Sequence, residues 1–435
     1  MSEITFGIVS IIVLGFFFLT GIEIAFAIGI IGFIGYACLV SFSGAVNVLA
    51  KDVFDAFTSY SFTVIPLFVL MGQVAYHSGT AKRLYDSAYR FVGHIPGGLA
   101  MTTIVGATVF KAMCGSTFAT IVAFSGIAVP EMLRYGYSKK LATGLVATVG
   151  TLGILLPPSV VLIIFGLITE QSIGRLFLAG IVPGIMLSGL FMFATWAWVK
   201  ANPAIAPRGQ KFTWKERGRC LPDFIWVVVI FTIVIGGLLN GFFSPTEAGS
   251  IGLAAVLVLA VIQERFRFKN IGRPINESLQ TACMVLMLIA CSNIFGHFLT
   301  ITNIPMTVAQ WVADLGINRW IIMIFIVFIY LIGGSFIDDL AFMILATPVF
   351  FPVILKLGFD PIWFAMVIGI TIMIGVVIPP VAIGVFLVKQ ITGEPLKVIY
   401  DGVYPFLVVL IMGLIMIFLF PSIATFLPNM LMGHR

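Results

Sequence analysis

Two short oxygen-rich stretches interrupt long apolar runs of this chain: Cys114-Gly115-Ser116-Thr117 and Gly333-Gly334-Ser335-Phe336-Ile337-Asp338-Asp339. The hydroxyls of Ser116, Thr117 and Ser335 and the carboxylate of Asp338 are hard oxygen donors, suited to Na⁺ as to other hard cations. Each stretch is followed by a proline (Pro130, Pro348) and then by a Pro-Pro pair (Pro157-Pro158, Pro379-Pro380). Such a pair lacks two N–H donors and leaves carbonyls of the preceding turn without helical partners. Gly150, Gly153 and Gly375 let further carbonyls turn inward. The chemistry expected is cation coordination by hydroxyls and freed carbonyls. Lys111, four residues before the first tip, is the one base expected at membrane depth, and it supplies positive potential for an anion. Asp338 and Asp339 are the acids expected deepest, where a charge is costly and functional by default. Adjacent helical residues point about 100° apart, so only one of the two need face the site; pairing with Lys111 is the structural alternative. The anion is expected between the two stretches, against Lys111, Gly115, Ser159, Gly334 and Pro380.

The landmarks recur in one order at an interval of about 220 residues, which marks an internal duplication. Duplicated broken helices at membrane depth point to a secondary transporter. Composition agrees. The 435 residues are 60% hydrophobic and 10% charged, with mean hydropathy +1.14. A soluble domain carries about a quarter charged residues, so this is a polytopic membrane protein whose long apolar segments suit helices and not barrel strands. The first apolar run lacks a basic leader and a cleavage site, so it is expected to be a retained span. The net charge of +6 reflects short basic loops that set orientation, with no nucleic-acid partner implied. Cys38, Cys114, Cys220, Cys283 and Cys291 lack metal or redox spacing. His77, His94, His297 and His434 are scattered, which argues against a metal centre or a hydrolase triad.

These stretches must be held by an all-α fold of two inverted-topology repeats. The first repeat, 1–200, has spans at Ile4–Thr20, Ile24–Phe42 and Thr63–Tyr76, with an amphipathic piece Asn47–Ser61 between the last two and a turn at Gly21–Glu23. A basic segment, Thr80–His94, precedes a re-entrant hairpin at about 99–133 with Gly115-Ser116-Thr117 at its tip. A broken helix follows at about 141–168, then a span Arg175–Val199. A basic linker, 201–221, separates the halves. The second repeat, 222–435, has spans Phe224–Leu239, Gly249–Ile262 and Leu279–Leu299, and an amphipathic stretch Thr302–Asn318. Its hairpin lies at about 320–355, its broken helix at about 361–388, and one last span at Val398–Phe426. Most of the 24 basic residues then fall on one face: Lys82, Arg83 and Arg90; Arg134, Lys139 and Lys140; Lys200, Arg208, Lys211, Lys215, Arg217 and Arg219; Arg265, Arg267, Lys269 and Arg273; Lys389 and Lys397. By the positive-inside rule that face is cytoplasmic. The first hairpin opens to it, the second opens outward, and both termini are periplasmic.

Several ordered strings carry a resemblance. They include Ile65-Pro66-Leu67-Phe68, Gly97-Gly98-Leu99-Ala100, Gly115-Ser116-Thr117, Pro130-Glu131-Met132, Leu152-Gly153-Ile154-Leu155-Leu156-Pro157-Pro158-Ser159, Leu176-Phe177-Leu178-Ala179-Gly180, Ser244-Pro245-Thr246-Glu247-Ala248, Leu357-Gly358-Phe359-Asp360-Pro361 and Pro379-Pro380. Across nearly its whole length the chain resembles the large membrane subunit of tripartite ATP-independent periplasmic (TRAP) transporters. The resemblance implies import of organic acids on a sodium gradient across the bacterial inner membrane, by an elevator movement of a domain built from both hairpins and both broken helices. It implies two partners besides the lipid bilayer: a small four-helix membrane subunit, expected here as a separate chain, and a periplasmic substrate-binding protein. It places sodium between each tip and the facing break: Ser116 and Thr117 with Gly150, Gly153 and Pro157, and Ser335 and Asp338 with Gly375 and Pro379. Lys111, Met113-Cys114 and Asp339 depart from the small, apolar or uncharged residues more usual there.

Sodium and not protons is the expected coupling ion, because two oxygen cages are built and only one certainly contains a carboxylate; two or more Na⁺ ions are expected. The alternative is a stand-alone sodium- or proton-coupled dicarboxylate carrier without partner subunits. A membrane hydrolase would need a base beside a nucleophile, and no histidine lies near either tip in sequence. A scaffold would have no use for duplicated broken helices.

Overall fold

Where Ser41, Ser116, Ser159, Ser172, Thr213, Asn318, Asp338 and Asp360 accept a backbone N–H, a helix starts. The computed structural model of the protein describes residues 3–20, 22–207, 209–262, 271–307, 310 and 316–433. Gly21, Arg208, Arg265, Arg267, Lys269, His434 and part of the 302–318 stretch lie outside the described residues. The first half contains α1 (Glu3–Leu19), α2 (Ile24–Leu39), α3 (Phe42–Thr58), α4 (Val64–His77), α5 (Thr80–Val92), α6 (Gly98–Cys114), α7 (Thr117–Arg134), α8 (Lys139–Val149), α9 (Val160–Thr169) and α10 (Ile173–Ala201). The second contains α11 (Trp214–Leu239), α12 (Pro245–Ile262), α13 (Gly272–Ile301), α14 (Arg319–Phe336), α15 (Asp339–Lys356), α16 (Pro361–Gly375), α17 (Ile383–Thr392), α18 (Leu396–Leu419) and α19 (Ser422–Met432). Among the described residues, eight helices are long and apolar enough to cross a membrane, or nine if α3 and α4, bent by 52°, form one span.

The duplicated landmarks fall on the same structures in both halves. Two antiparallel pairs, α6–α7 and α14–α15, turn at Gly115-Ser116 and at Ile337-Asp338. Each is followed by a broken helix, α8–α9 or α16–α17, with a cis Pro-Pro bond in the break. Gly115 takes φ +61°, the left-handed conformation that ends α6 at little steric cost. The two halves interlock: α17 packs on α7 of the first hairpin, and α9 packs on α15 of the second. In addition α8 crosses α18 where Gly144 and Gly402 bring the two backbones into contact, a Cβ on either overlapping the other helix. Small residues permit such close crossings within membranes.

An outer layer formed by α2, α4, α12 and α13 packs beside this centre. Gly29, Gly32 and Gly35 of α2 meet Cys291, Phe295 and Phe298 of α13. Large apolar side chains such as Phe16, Val228, Phe325 and Val408 remain exposed along the outermost helices, as expected of surfaces that face lipid.

Two expectations are corrected. The stretch Val398–Phe426 is not one span: α18 ends at Leu419 and Pro421, which cannot continue the helical ladder, starts a separate helix, α19. The basic linker is not wholly a loop, because Thr213 and Glu216 form a reciprocal cap that starts α11 at Trp214. Lys215, Arg217 and Arg219 therefore lie on that helix.

Candidate functional site

At the first tip, Ser116 caps α7 by accepting the Ala119 N–H at 3.3 Å. Lys111, in the last turn of α6 and with no solvent exposure, donates its Nζ to the Ser116 carbonyl at 2.7 Å. Thr120 Oγ1 donates to the same carbonyl at 3.1 Å. The tip rests on the first break. A Cβ on Gly115 would stand 2.8 Å from the Pro158 carbonyl oxygen, one on Gly150 would overlap Ile121, and one on Gly153 would overlap the Lys111 amine. Beyond the break, Ser159 donates to Ile154 O at 2.7 Å and caps α9 through Leu162 N at 3.4 Å. Pro157 and Pro158 are buried. On its other side the tip touches α4, where a Cβ on Gly72 would overlap the Cys114 carbonyl.

The second tip leans on the second break in the same manner. A Cβ on Gly375 would stand 2.8 Å from the carbonyl carbon of Gly334, and Val381 N donates to Ser335 O at 3.3 Å. The Ser335 hydroxyl donates to Ile332 O at 2.7 Å. Asp338 caps α15, accepting Leu340 N at 3.1 Å and Ala341 N at 3.3 Å. Asp339 is 2% exposed and accepts Leu340 N at 2.9 Å. Pro379 and Pro380 are exposed, unlike their buried counterparts, so the two breaks are unequal.

A cavity of about 120 Å³ opens beside the first tip. Its walls are Gly115 to Ala119, Val160 and Val161 at the start of α9, Asp339 and Leu340 at the start of α15, Val69, Gly72 and Gln73 of α4, and Thr281 and Met284 of α13. One water needs about 10–15 Å³ of such volume, so several waters or a small organic solute fit. Three helix N-termini converge here, those of α7, α9 and α15. Helix N-termini present unpaired N–H groups and favour anions. Two carry neutral serine caps, while Asp338 places a carboxylate on the third.

Of the residues expected around the anion, Gly115 lines this cavity; Lys111 sits behind the tip, and Ser159, Gly334 and Pro380 belong to the breaks and the second tip. Of those expected around sodium, Ser116 and Thr117 line the cavity, whereas Ser335, Asp338, Gly375 and Pro379 gather at the second tip and its break. Gln73, Thr281 and Met284 were not singled out from sequence. Gln73 Oε1 is buried without a hydrogen-bond partner among the described residues, and as a lone amide inside an apolar span it was the available signal.

Three comparisons bear on this arrangement. Residues 9–423 match the family model described as "Tripartite ATP-independent periplasmic transporter, DctM component". The chain is 34% identical over 405 residues to the C4-dicarboxylate TRAP transporter large permease protein DctM of Pseudomonas aeruginosa, covering 92% of this chain and 94% of that protein. It is 32% identical over 376 residues to the 2,3-diketo-L-gulonate TRAP transporter large permease protein YiaN of Escherichia coli, covering 86% and 88%. In fold it is similar to the crystal structure of the Alcanivorax borkumensis YdaH transporter, with TM-score 0.64, 14% identity, and coverage of 88% of this chain and 90% of that one.

Proposed function

Because the chain belongs to the DctM component family of tripartite ATP-independent periplasmic transporters, we propose that it is the large membrane subunit of a sodium-coupled importer of a small organic anion. The observation that carries this reading is the cavity where three helix N-termini meet the first tip, Gly115 to Ala119, and the side chain of Asp339. An anion held there gains from the unpaired N–H groups, and cations at the tips offset its charge. The relatives named above transport a C4-dicarboxylate and a sugar acid by name, and a further relative, 30% identical, is an isethionate TRAP transporter permease protein, so a carboxylate, sugar acid or sulfonate is the substrate class. It is handed over by a periplasmic binding protein at the inner membrane, beside a small membrane subunit. The interlocked hairpins and breaks would travel as one elevator body past α2, α4, α12 and α13.

The test is uptake by proteoliposomes containing this chain and its small subunit, supplied with binding protein and a radiolabelled C4-dicarboxylate, diketogulonate or sulfonate. The expected result is accumulation of one of them only with an inward sodium gradient and only with binding protein present. Uptake driven by a pH gradient in sodium-free buffer would overturn sodium coupling. Uptake without the binding protein would favour a stand-alone dicarboxylate carrier.

A further inference from the structure

We propose that the ammonium of Lys111 is a tethered cation that fills the first of the two tip–break cages, so that sodium binds at the second cage alone. The proposal rests on the sodium-coupled reading above and refines it, since the cages were expected to hold an ion each. Lys111 Nζ lies between the two walls of the first cage. It donates to the Ser116 carbonyl at the tip at 2.7 Å, and on the other side it lies against Gly153 in the turn Gly150–Ile154. Gly153 creates the room: a Cβ there would overlap Nζ and stand 2.5 Å and 2.6 Å from Cε and Cδ. A carbonyl and a glycine-lined turn are the elements a sodium ion would use, and the Lys111 amine occupies the space between them.

Burying an unpaired ammonium is costly, and Lys111 has no solvent exposure. It forms no direct ion pair among the described residues, and the cavity beside its tip presents one acid, Asp339 of the opposing hairpin. The partner that the amine does have is a backbone carbonyl, the kind of oxygen a bound metal cation would use.

The second cage has no such resident. Four residues before Gly334, where Lys111 precedes Gly115, stands Tyr330, whose hydroxyl is hydrogen-bonded to Thr347 at 3.2 Å. The one basic residue of α14 is Arg319 at its far end. In place of a fixed cation this tip has the carboxyl group of Asp338, which caps the second arm of its hairpin. The duplicated sites have thus diverged in their donors: an amine at the first and a carboxyl at the second, an oxygen ligand that suits an exchangeable cation.

The full chain in lipid nanodiscs is titrated with radioactive sodium against choline, and bound ions per chain are counted. One ion is expected in the unaltered chain and two in Lys111→Ser, where the vacated space opens the Ser116 carbonyl and the Gly150–Ile154 turn. Two or more ions in the unaltered chain overturn the proposal whether or not the variant folds, and so does a folded Lys111→Ser chain that still binds one. Failure of the sodium reading looks different. No ion in the unaltered chain and one in Lys111→Ser supports the tethered cation while removing sodium from the second cage; no ion in either overturns both.

Discussion

At the second tip two neighbouring carboxylates do different work. Asp338 spends one oxygen on the N–H groups of Leu340 and Ala341, whereas Asp339 turns into the cavity shared with the first tip. Losing an N-cap costs about 0.5–2 kcal/mol, so Asp338→Ala should lower thermal stability by roughly that amount, about 1 kcal/mol, while Asp338→Asn retains an accepting oxygen and keeps it. If Asp338 also serves the sodium cage, the Asn variant loses the extra stability that sodium gives the unaltered chain. Thermal unfolding in sodium chloride and in choline chloride separates the two roles; equal stabilisation by sodium in the Asn variant removes Asp338 from the cage. The adjacent pair was visible in sequence, but which aspartate faces the cavity depends on where α15 starts, and that is decided by the cap. Lys111 illustrates the same limit. Its depth was legible, yet its partner turned out to be a backbone carbonyl five residues on, an acceptor every residue carries and no sequence singles out.

Among the elements, the hairpins and breaks were the most legible, because glycines and Pro-Pro pairs violate the local rules of helices and did so twice in one order. Their partners were not, since the packing of α17 on α7 and of α9 on α15 joins segments with no local signature of each other. The α8–α18 crossing shows the cost of such contacts. Gly144 and Gly402 meet backbone to backbone, and the Lys139–Glu394 and Lys140–Asp401 ion pairs, each at 2.7 Å, tie down the same end. Exposed pairs of this kind contribute little, about 0–1 kcal/mol, so the glycines set the approach. Gly144→Val should destabilise by about 1–3 kcal/mol, the range for forcing volume into a packed interior. Gly189 on α10 has nothing within 4 Å of where its Cβ would stand, so Gly189→Ala should be silent. Detergent-solubilised yield and thermal midpoint compare the two; a silent Gly144→Val would mean that α8 and α18 are free to separate.

For the molecule as a whole, the duplicated halves leave open which way each hairpin faces, and charge supplies the argument. Basic residues flank the first hairpin on both sides, at Arg90 and at Arg134, Lys139 and Lys140, while the second has Arg319 and Lys356 alone. If positive charge is retained in the cytoplasm, the two hairpins should open to opposite faces and bracket the cavity from both. Tyr135, at the base of the first hairpin, and Leu355, at the base of the second, are 40% and 50% exposed and suit labelling. Cys38 and Cys283 are exposed while Cys114, Cys220 and Cys291 are buried, so serine at 38 and 283 yields a quiet background. On it, Leu355→Cys should react with a membrane-impermeant maleimide in right-side-out vesicles, and Tyr135→Cys should react only in inverted ones. Reaction of both from one side would make the repeats parallel. An elevator that carries its cavity between two opposed tips would then lose its geometric basis, because both tips would close against the same face.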